Sequence, residues 1–86
     1  MGVPLITKAD KVLYNRLRSG SRRWMILTYG DEDDWRKVKR GAAIIVENRE
    51  NGKRLLCRVN DYEKMKLFHD YTDTVYVEIS VEREYE

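Results

Sequence analysis

The chain has 86 residues, of which 42% are hydrophobic, 10% aromatic and 37% charged, and its formal net charge is +2. This length and composition predict one folded domain over residues 1–86 and exclude a disordered chain. A single cysteine, Cys57, excludes an intramolecular disulfide, and a small domain without disulfides is typical of a reducing compartment. The sequence has no apolar run of the roughly 20 residues that span a bilayer and no signal-peptide pattern. We therefore expect a cytoplasmic protein with no membrane association.

The first predicted element is a helix over residues 7–19. Apolar residues recur every four positions along it and form one stripe, consisting of Ala9, Leu13 and Leu17. Thr7 is the candidate N-cap, and Gly20 follows the last turn, where glycine commonly ends a helix.

A strand over residues 22–29 is predicted next. Both of its alternating faces are largely apolar, which predicts a central position in a sheet. The acidic run Asp31 to Asp34 then predicts a turn, followed by a short helix through Val38 that Gly41 ends.

The middle of the chain predicts a pair of strands joined by a tight turn. Residues 42–47 and 54–59 have strand composition, and the Asn-Gly dipeptide at 51–52 is a strong hairpin signal. Beyond the second strand, Asp61 can cap a short helix through Phe68.

The last strand, over residues 74–82, shows the clearest pattern. Apolar residues occupy every second position and alternate with polar ones, namely Val75, Val77, Ile79 and Val81. Such alternation is typical of an antiparallel strand with one face exposed to water. One helix followed by hairpin-connected strands predicts an α+β fold, a small antiparallel β-barrel with a helix packed against it.

Two short motifs resemble the ASCH family of the PUA-like superfamily. That family has a helix ending in Ser-Gly-x-Lys and, after a strand, a segment of the type Asp-x-x-Arg-x-x-Lys-x-Gly-Asp. The first motif is matched by Ser19, Gly20 and Arg22, and the second is approximated by Asp34, Arg36, Lys39 and Gly41. The resemblance spans about residues 7–81, and it implies a compact PUA-like β-barrel that binds RNA.

The resemblance is incomplete at the positions that carry chemistry. Hydrolytic relatives bring a lysine, a hydroxyl residue and a carboxylate together in a cleft. Arg22 stands at the lysine position, Met25 at a polar or acidic one, Leu27 at that of a strand arginine, and Ala42 at that of an aspartate. Arginine stays protonated at any working pH, and methionine is neither an acid nor a nucleophile in such chemistry. We therefore expect a binding domain without catalytic residues.

Charge is distributed unevenly along the chain. Residues 1–58 contain 14 Lys and Arg against 7 Asp and Glu, a net charge of +7, whereas residues 59–86 contain 3 against 8, a net of −5. One interpretation is a basic footprint for nucleic acid. The other is that the opposite charges pair with each other across the folded domain.

Two basic sets, each next to a tryptophan, are the candidate nucleic-acid-binding residues. Their guanidinium and ammonium groups can donate to phosphate oxygens, and the tryptophans can stack on bases. The first set is Arg16, Arg18, Arg22 and Arg23 with Trp24, and the second is Arg36, Lys37, Lys39 and Arg40 with Trp35. In the barrel we expect both sets to border one cleft. The alternative is a solvated charged surface with the tryptophans in the core.

Other chemistry-bearing residues predict no metal site and no cofactor. The run Asp31 to Asp34 lacks the ligand spacing of a calcium loop, and His69 is the only histidine. We expect Cys57 to be a core residue. Residues 19–21, Ser-Gly-Ser, offer backbone amides that could receive an anion, although they equally suit a plain helix end.

The sequence thus predicts a small nucleic-acid-binding domain, with RNA ahead of DNA as its partner. Three alternatives stay open. The chain could be a protein-interaction module, such as a small viral or accessory regulator. It could be a nucleoside or RNA hydrolase of the ASCH type. It could also self-associate through its last strand if that strand lies at a sheet edge.

Overall fold

Five strands and one helix form in the residues that the computed structural model describes, which are 4–29, 36–66 and 73–85. In chain order they are β1 (Leu5–Ala9), α1 (Lys11–Ser19), β2 (Trp24–Tyr29), β3 (Ala43–Asn48), β4 (Arg54–Lys66) and β5 (Asp73–Tyr85). The strands make one sheet in the order β1-β3-β4-β5-β2, curled into a half-barrel. The predicted α+β class is confirmed. The sheet is mixed, however, because β1 runs parallel to β3 while the other pairs are antiparallel.

The predicted helix over residues 7–19 starts too early, because β1 occupies its first part. Leu5 and Ala9 are buried while Ile6 and Lys8 are exposed, which is the alternation of a strand rather than of a helix. Pairing with β3 provides hydrogen-bond partners for the backbone of this segment. The segment is therefore a strand, although its apolar residues also match the spacing of a helix.

The N-cap of α1 is Asp10, and the prediction of Thr7 is wrong. The Asp10 carboxylate accepts a hydrogen bond from the Leu13 backbone N–H at 2.7 Å. At the other end, Gly20 has a φ of 81° and ends the helix as predicted. Tyr14 and Leu17 are the buried residues of α1 and belong to the core cluster.

The alternation predicted for β2 is confirmed, but its central position is wrong. Met25 and Leu27 are each 2% exposed and face the core, whereas Ile26 is 53% exposed. β2 pairs only with β5 and is therefore an edge strand. Its outer apolar residues point to solvent instead of to a second layer.

The two longest strands, β4 and β5, form the centre of the sheet. The helix predicted after Asp61 is wrong, because β4 continues as a strand and pairs Asp61 with Glu78. β5 extends to Tyr85, and its Asp73–Glu78 part lies between β4 and β2. Residues 79–85 have β4 as their one neighbouring strand among the described residues, so the alternative of self-association stays open for that part. Register shifts between Leu56 and Cys57 and between Val59 and Asp61 interrupt the ladder twice.

The turn between β3 and β4 forms at the predicted Asn-Gly dipeptide. Gly52 has a φ of 74°, and its N–H donates to the Asn48 carbonyl at 2.9 Å. Asn48 is 3% exposed, and its side-chain oxygen accepts the Glu50 N–H at 2.9 Å. The buried amide oxygen is therefore hydrogen-bonded, as a polar group in a protein interior requires.

We expect Asp10→Ala to lower the free energy of unfolding by about 1 kcal/mol, since the first turn of α1 loses its cap. Asp10→Asn is the matched control, because its amide oxygen can accept the same Leu13 N–H. Urea unfolding followed by circular dichroism measures both variants. Equal midpoints for Asp10→Ala and the native chain would show that this cap does not stabilise the helix.

Candidate nucleic-acid interface

A groove of about 750 Å³ lies where the end of α1, the start of β2 and the middle of β5 meet. Arg18, Arg22, Arg23 and Trp24 of the first predicted basic set line it, whereas Arg16 does not. Its walls are formed by Leu17, Arg18, Ser19, Gly20, Arg22, Arg23, Trp24, Asn60, Tyr76, Glu78, Ile79, Ser80 and Val81.

The end of α1 turns the chain into this groove. The hydroxyls of Ser19 and Ser21 both lie within hydrogen-bonding distance of the Arg16 carbonyl, at 3.2 and 3.3 Å. The backbone N–H of Arg22 donates to the same carbonyl, and that of Gly20 donates to Leu17. These groups satisfy the last carbonyls of the helix, so the Ser-Gly-Ser segment has the contacts of a helix end rather than of an anion site.

Arg22 and Trp24 form a stacked pair at the groove wall. The Arg22 guanidinium carbon lies 3.8 Å from the centroid of the Trp24 ring, and its Nε donates to the Trp24 carbonyl at 3.1 Å. The Trp24 ring lies in turn 5.8 Å from the Tyr76 ring, with an angle of 30° between their planes. Trp24 keeps 39% of its surface exposed, so this row of one guanidinium and two rings is open to solvent.

The charge of the groove is predominantly positive. Three arginines line it against one carboxylate, Glu78. Arg18 forms an ion pair with Glu84 at 2.6 Å, whereas Arg22 and Arg23 make no ion pair within the described residues. The backbone of Arg23 is fixed to β5, because its carbonyl accepts the Ile79 N–H at 2.8 Å.

Tyr76 adds a neutral donor beside these charges. Burial, together with the neighbouring Glu78 carboxylate, raises the pKa of Tyr76, so its hydroxyl is protonated at neutral pH. The hydroxyl donates to Glu78 at 3.3 Å. This bond directs the Glu78 carboxylate toward Tyr76.

The second basic set lies elsewhere in the fold. A separate groove of about 390 Å³ is lined by Arg36, Lys37 and Lys39 together with residues at the starts of β1 and β3. Arg40 donates to Asp61 at 3.1 Å, and this contact, after the hydrogen bond from the Tyr62 N–H, lowers the pKa of Asp61. The expected common cleft is therefore not formed by the described residues of the two sets. Trp35 lies outside the described residues.

Ion pairs account for part of the uneven charge along the chain. Arg18 with Glu84, Arg40 with Asp61 and Arg58 with Glu82 each join the basic first part to the acidic last part. Arg58 makes the most hydrogen bonds of these three arginines. It bonds both oxygens of Glu82, at 2.9 and 3.3 Å, as well as the Gly41 carbonyl at 2.9 Å. Exposed pairs of this kind each contribute about 0–1 kcal/mol, so they organise the surface more than they stabilise it.

Four groove residues were missed by the sequence interpretation: Asn60, Tyr76, Glu78 and Ser80. They come from β4 and β5. The pairing of β5 with β2 brings Tyr76 and Glu78 beside Trp24, and the pairing of β4 with β5 adds Asn60. The alternation of β5 gives a partial signal, since it places its polar positions on the outer face, but it does not indicate which of them approach the helix end.

Positions 25 and 27, where the resemblance expects polar groups, do not contribute to the groove. Met25 and Leu27 are both buried in the core. The acidic run at 31–34 and His69 lie outside the described residues.

Cys57 is buried, as expected, and has no exposed surface. Burial, with a smaller contribution from Glu82, raises the pKa of Cys57 to about 12. Since the thiolate is the reactive form, this thiol is inert at neutral pH.

No protein-family model, curated protein or solved structure matches this chain. In the part of the chain that the structure describes, no helix is long and apolar enough to cross a membrane. The same residues contain no group of three or more His, Cys, Asp or Glu side chains that could hold a metal ion.

We expect Cys57 to react with a thiol reagent such as dithiobis(nitrobenzoate) only after unfolding. The native chain should release little chromophore at pH 8, and addition of guanidinium should release one equivalent per chain. Rapid reaction of the native chain would show that β4 opens locally and exposes the thiol.

Proposed function

We propose that the protein binds nucleic acid, RNA ahead of DNA, through the groove between α1, β2 and β5. The observation that carries the proposal is the open row formed by Arg22, Trp24 and Tyr76. The RNA preference follows from the resemblance to the ASCH family, and with it we propose that the half-barrel is a compact PUA-like domain. A single unpaired cysteine is consistent with the cytoplasmic location that the proposal includes.

The row combines the two contacts that single-stranded nucleic acid needs. Aromatic faces stack on bases of any sequence, contributing about 1–3 kcal/mol per base, and cationic side chains neutralise phosphates. Trp24 and Tyr76 provide the rings, and Arg22 and Arg23 provide the charges. The guanidinium of Arg22 is already oriented by its stack on Trp24, which reduces the entropy lost when it meets a phosphate.

The proposed site is smaller than the sequence indicated. Arg18 supports it from α1, where its pair with Glu84 fixes it at the groove wall. Arg40 is assigned to its ion pair with Asp61. The other cations of the second set, Arg36, Lys37 and Lys39, line a separate groove and are left outside the site.

The first experiment is fluorescence anisotropy with labelled single-stranded RNA, single-stranded DNA and duplexes, each titrated at several salt concentrations. Affinity that weakens steadily with salt, and is highest for single-stranded RNA, would support the proposal. Absence of binding to every probe at low salt would overturn it and favour a protein partner.

We expect Arg22→Ala combined with Arg23→Ala to weaken binding and to flatten its salt dependence. If both arginines contact phosphates of a single strand, the slope of log affinity against log salt should fall by about 1.4, since each phosphate contributes about 0.7. Titrations at four or more salt concentrations give the slope.

The matched control is Lys8→Ala combined with Lys11→Ala, which removes the same charge from exposed positions outside the groove. Its slope should stay close to that of the native chain. Equal losses in the two double variants would show that net charge alone attracts the ligand and that the groove is not the site.

We expect Trp24→Ala to weaken binding of a single strand by about 1–3 kcal/mol, the contribution of one stacked base. Trp24→Phe, which keeps a smaller ring, should lose less. Ile26→Ala is the control, because Ile26 is exposed on the same face of β2 but does not line the groove. Similar losses for Trp24→Ala and Ile26→Ala would contradict stacking on Trp24, provided that both variants melt like the native chain.

A further inference from the structure

Asn60 is the extra residue of a β-bulge at the groove. Val59 pairs with Ile79 and Asp61 pairs with Glu78, so adjacent positions of β5 face positions of β4 that are two residues apart. A bulge leaves one residue outside the ladder and redirects its side chain, and such bulges are frequent beside functional sites. Here the exposed side chain of Asn60 lines the same groove as Arg22 and Trp24.

The Asn60 amide is held in place by Ser80. Its Nδ2 lies within hydrogen-bonding distance of the Ser80 hydroxyl, and both side chains are exposed in the groove. A primary amide offers two N–H donors and a carbonyl acceptor. The bond to Ser80 uses one N–H and leaves an adjacent donor and acceptor directed to solvent.

The pair lies close to the stacked rings. Ser80 is two residues beyond Glu78, which is the cross-strand partner of Trp24, and alternation puts both on the outer face of β5. At a rise of about 3.4 Å per residue, Ser80 is about 7 Å along the strand from the position opposite Trp24. A base stacked in the groove therefore has its edge within reach of the Asn60 amide.

We infer that the Asn60–Ser80 pair recognises the edge of an unpaired adenine in this groove, an inference that rests on the proposed function. A side-chain amide forms two parallel hydrogen bonds with a base that presents a donor next to an acceptor. On the edge that carries N7, adenine is the one base with this combination, because guanine presents two acceptors there and each pyrimidine presents a single polar group. In a duplex the base faces are stacked on one another, so the groove selects single strands.

The charges and the aromatic rings of the groove are compatible with a base whose edge faces Asn60. Arg22 and Arg23 can hold the phosphates that flank the base, and Trp24 with Tyr76 can hold its face. Stacking and phosphate contacts do not depend on base identity. The Ser19 and Tyr76 hydroxyls of the groove already donate to the Arg16 carbonyl and to Glu78. The base preference is therefore assigned to the Asn60–Ser80 pair.

The test uses the full chain and four labelled single-stranded RNAs, each a run of ten uridines in which one central position is adenine, guanine, cytosine or uracil. We expect the native chain to bind the adenine probe about fivefold or more tightly than the all-uridine probe, the lower end of what a bidentate contact supplies. Asn60→Ala should remove this preference, so that the variant binds the four probes with equal affinity.

Asn15→Ala is the matched control, because it removes an exposed amide of α1 that does not line the groove. It should keep the adenine preference. Ser80→Ala is a second test, which also serves if Asn60→Ala does not fold. Without the serine hydroxyl the amide rotates freely, so the preference should fall.

Three results would overturn the inference. Equal binding of the four probes by the native chain would show that the groove does not discriminate between bases. An adenine preference that survives in both Asn60→Ala and Ser80→Ala would assign recognition to other residues. Failure of the native chain to bind any probe at low salt would overturn the proposed function as well, and is distinguished by the absence of any salt-dependent signal.

Discussion

The ladder between β4 and β5 runs the whole length of both strands, from Arg54 opposite Tyr85 to Lys66 opposite Asp73. The rest of the sheet is attached to it, with β3 and β1 on one side and β2 on the other. β2 pairs with the Asp73–Glu78 part of β5, and within the part of the chain that the structure describes the remainder of β5 has no second strand beside it. The groove occupies the place where β2 begins and α1 ends, so its position follows from the unequal lengths of these strands.

The second constraint is electrostatic. Three arginines from the basic first two thirds of the chain, Arg18, Arg40 and Arg58, form ion pairs with acidic residues of β4 and β5. This pairing leaves Arg22 and Arg23 as the groove cations without a carboxylate partner among the described residues. These two arginines give the groove a local positive charge, which the net charge of +2 for the whole chain does not reveal.

Local sequence patterns correctly predicted those elements whose pattern fits only one type of secondary structure. The Asn-Gly turn, the alternation of β2 and β5 and the burial of Cys57 were all predictable. The N-terminal segment was not, because residues 7–9 fit both a helical stripe and a short strand, and only pairing with β3 decides between them. Asp61 was similarly ambiguous as a helix cap, since a carboxylate at a strand surface has the same sequence signature.

The site was predictable only where its residues are consecutive. Arg22, Arg23 and Trp24 are neighbours in the chain, so the sequence could identify them together, whereas Asn60 and Ser80 lie twenty residues apart and meet across a bulge. The hydrophobic pattern of a single strand cannot reveal a one-residue shift in the register between two strands, because the register depends on both strands. The expected common cleft is not found for the same reason. Arg22 and Arg23 line one groove, whereas three cations of the second set, Arg36, Lys37 and Lys39, line another.

The edge position of β2 affects how this sequence can diverge. Trp24 is the first residue of this strand, which has one neighbour among the described residues, and its ring is exposed in the groove, whereas Met25 and Leu27 are buried in the core. Exposed and buried residues therefore alternate along the same short segment. Substitutions at its exposed positions change the surface beside the groove, while the hydrophobic positions between them keep the same architecture.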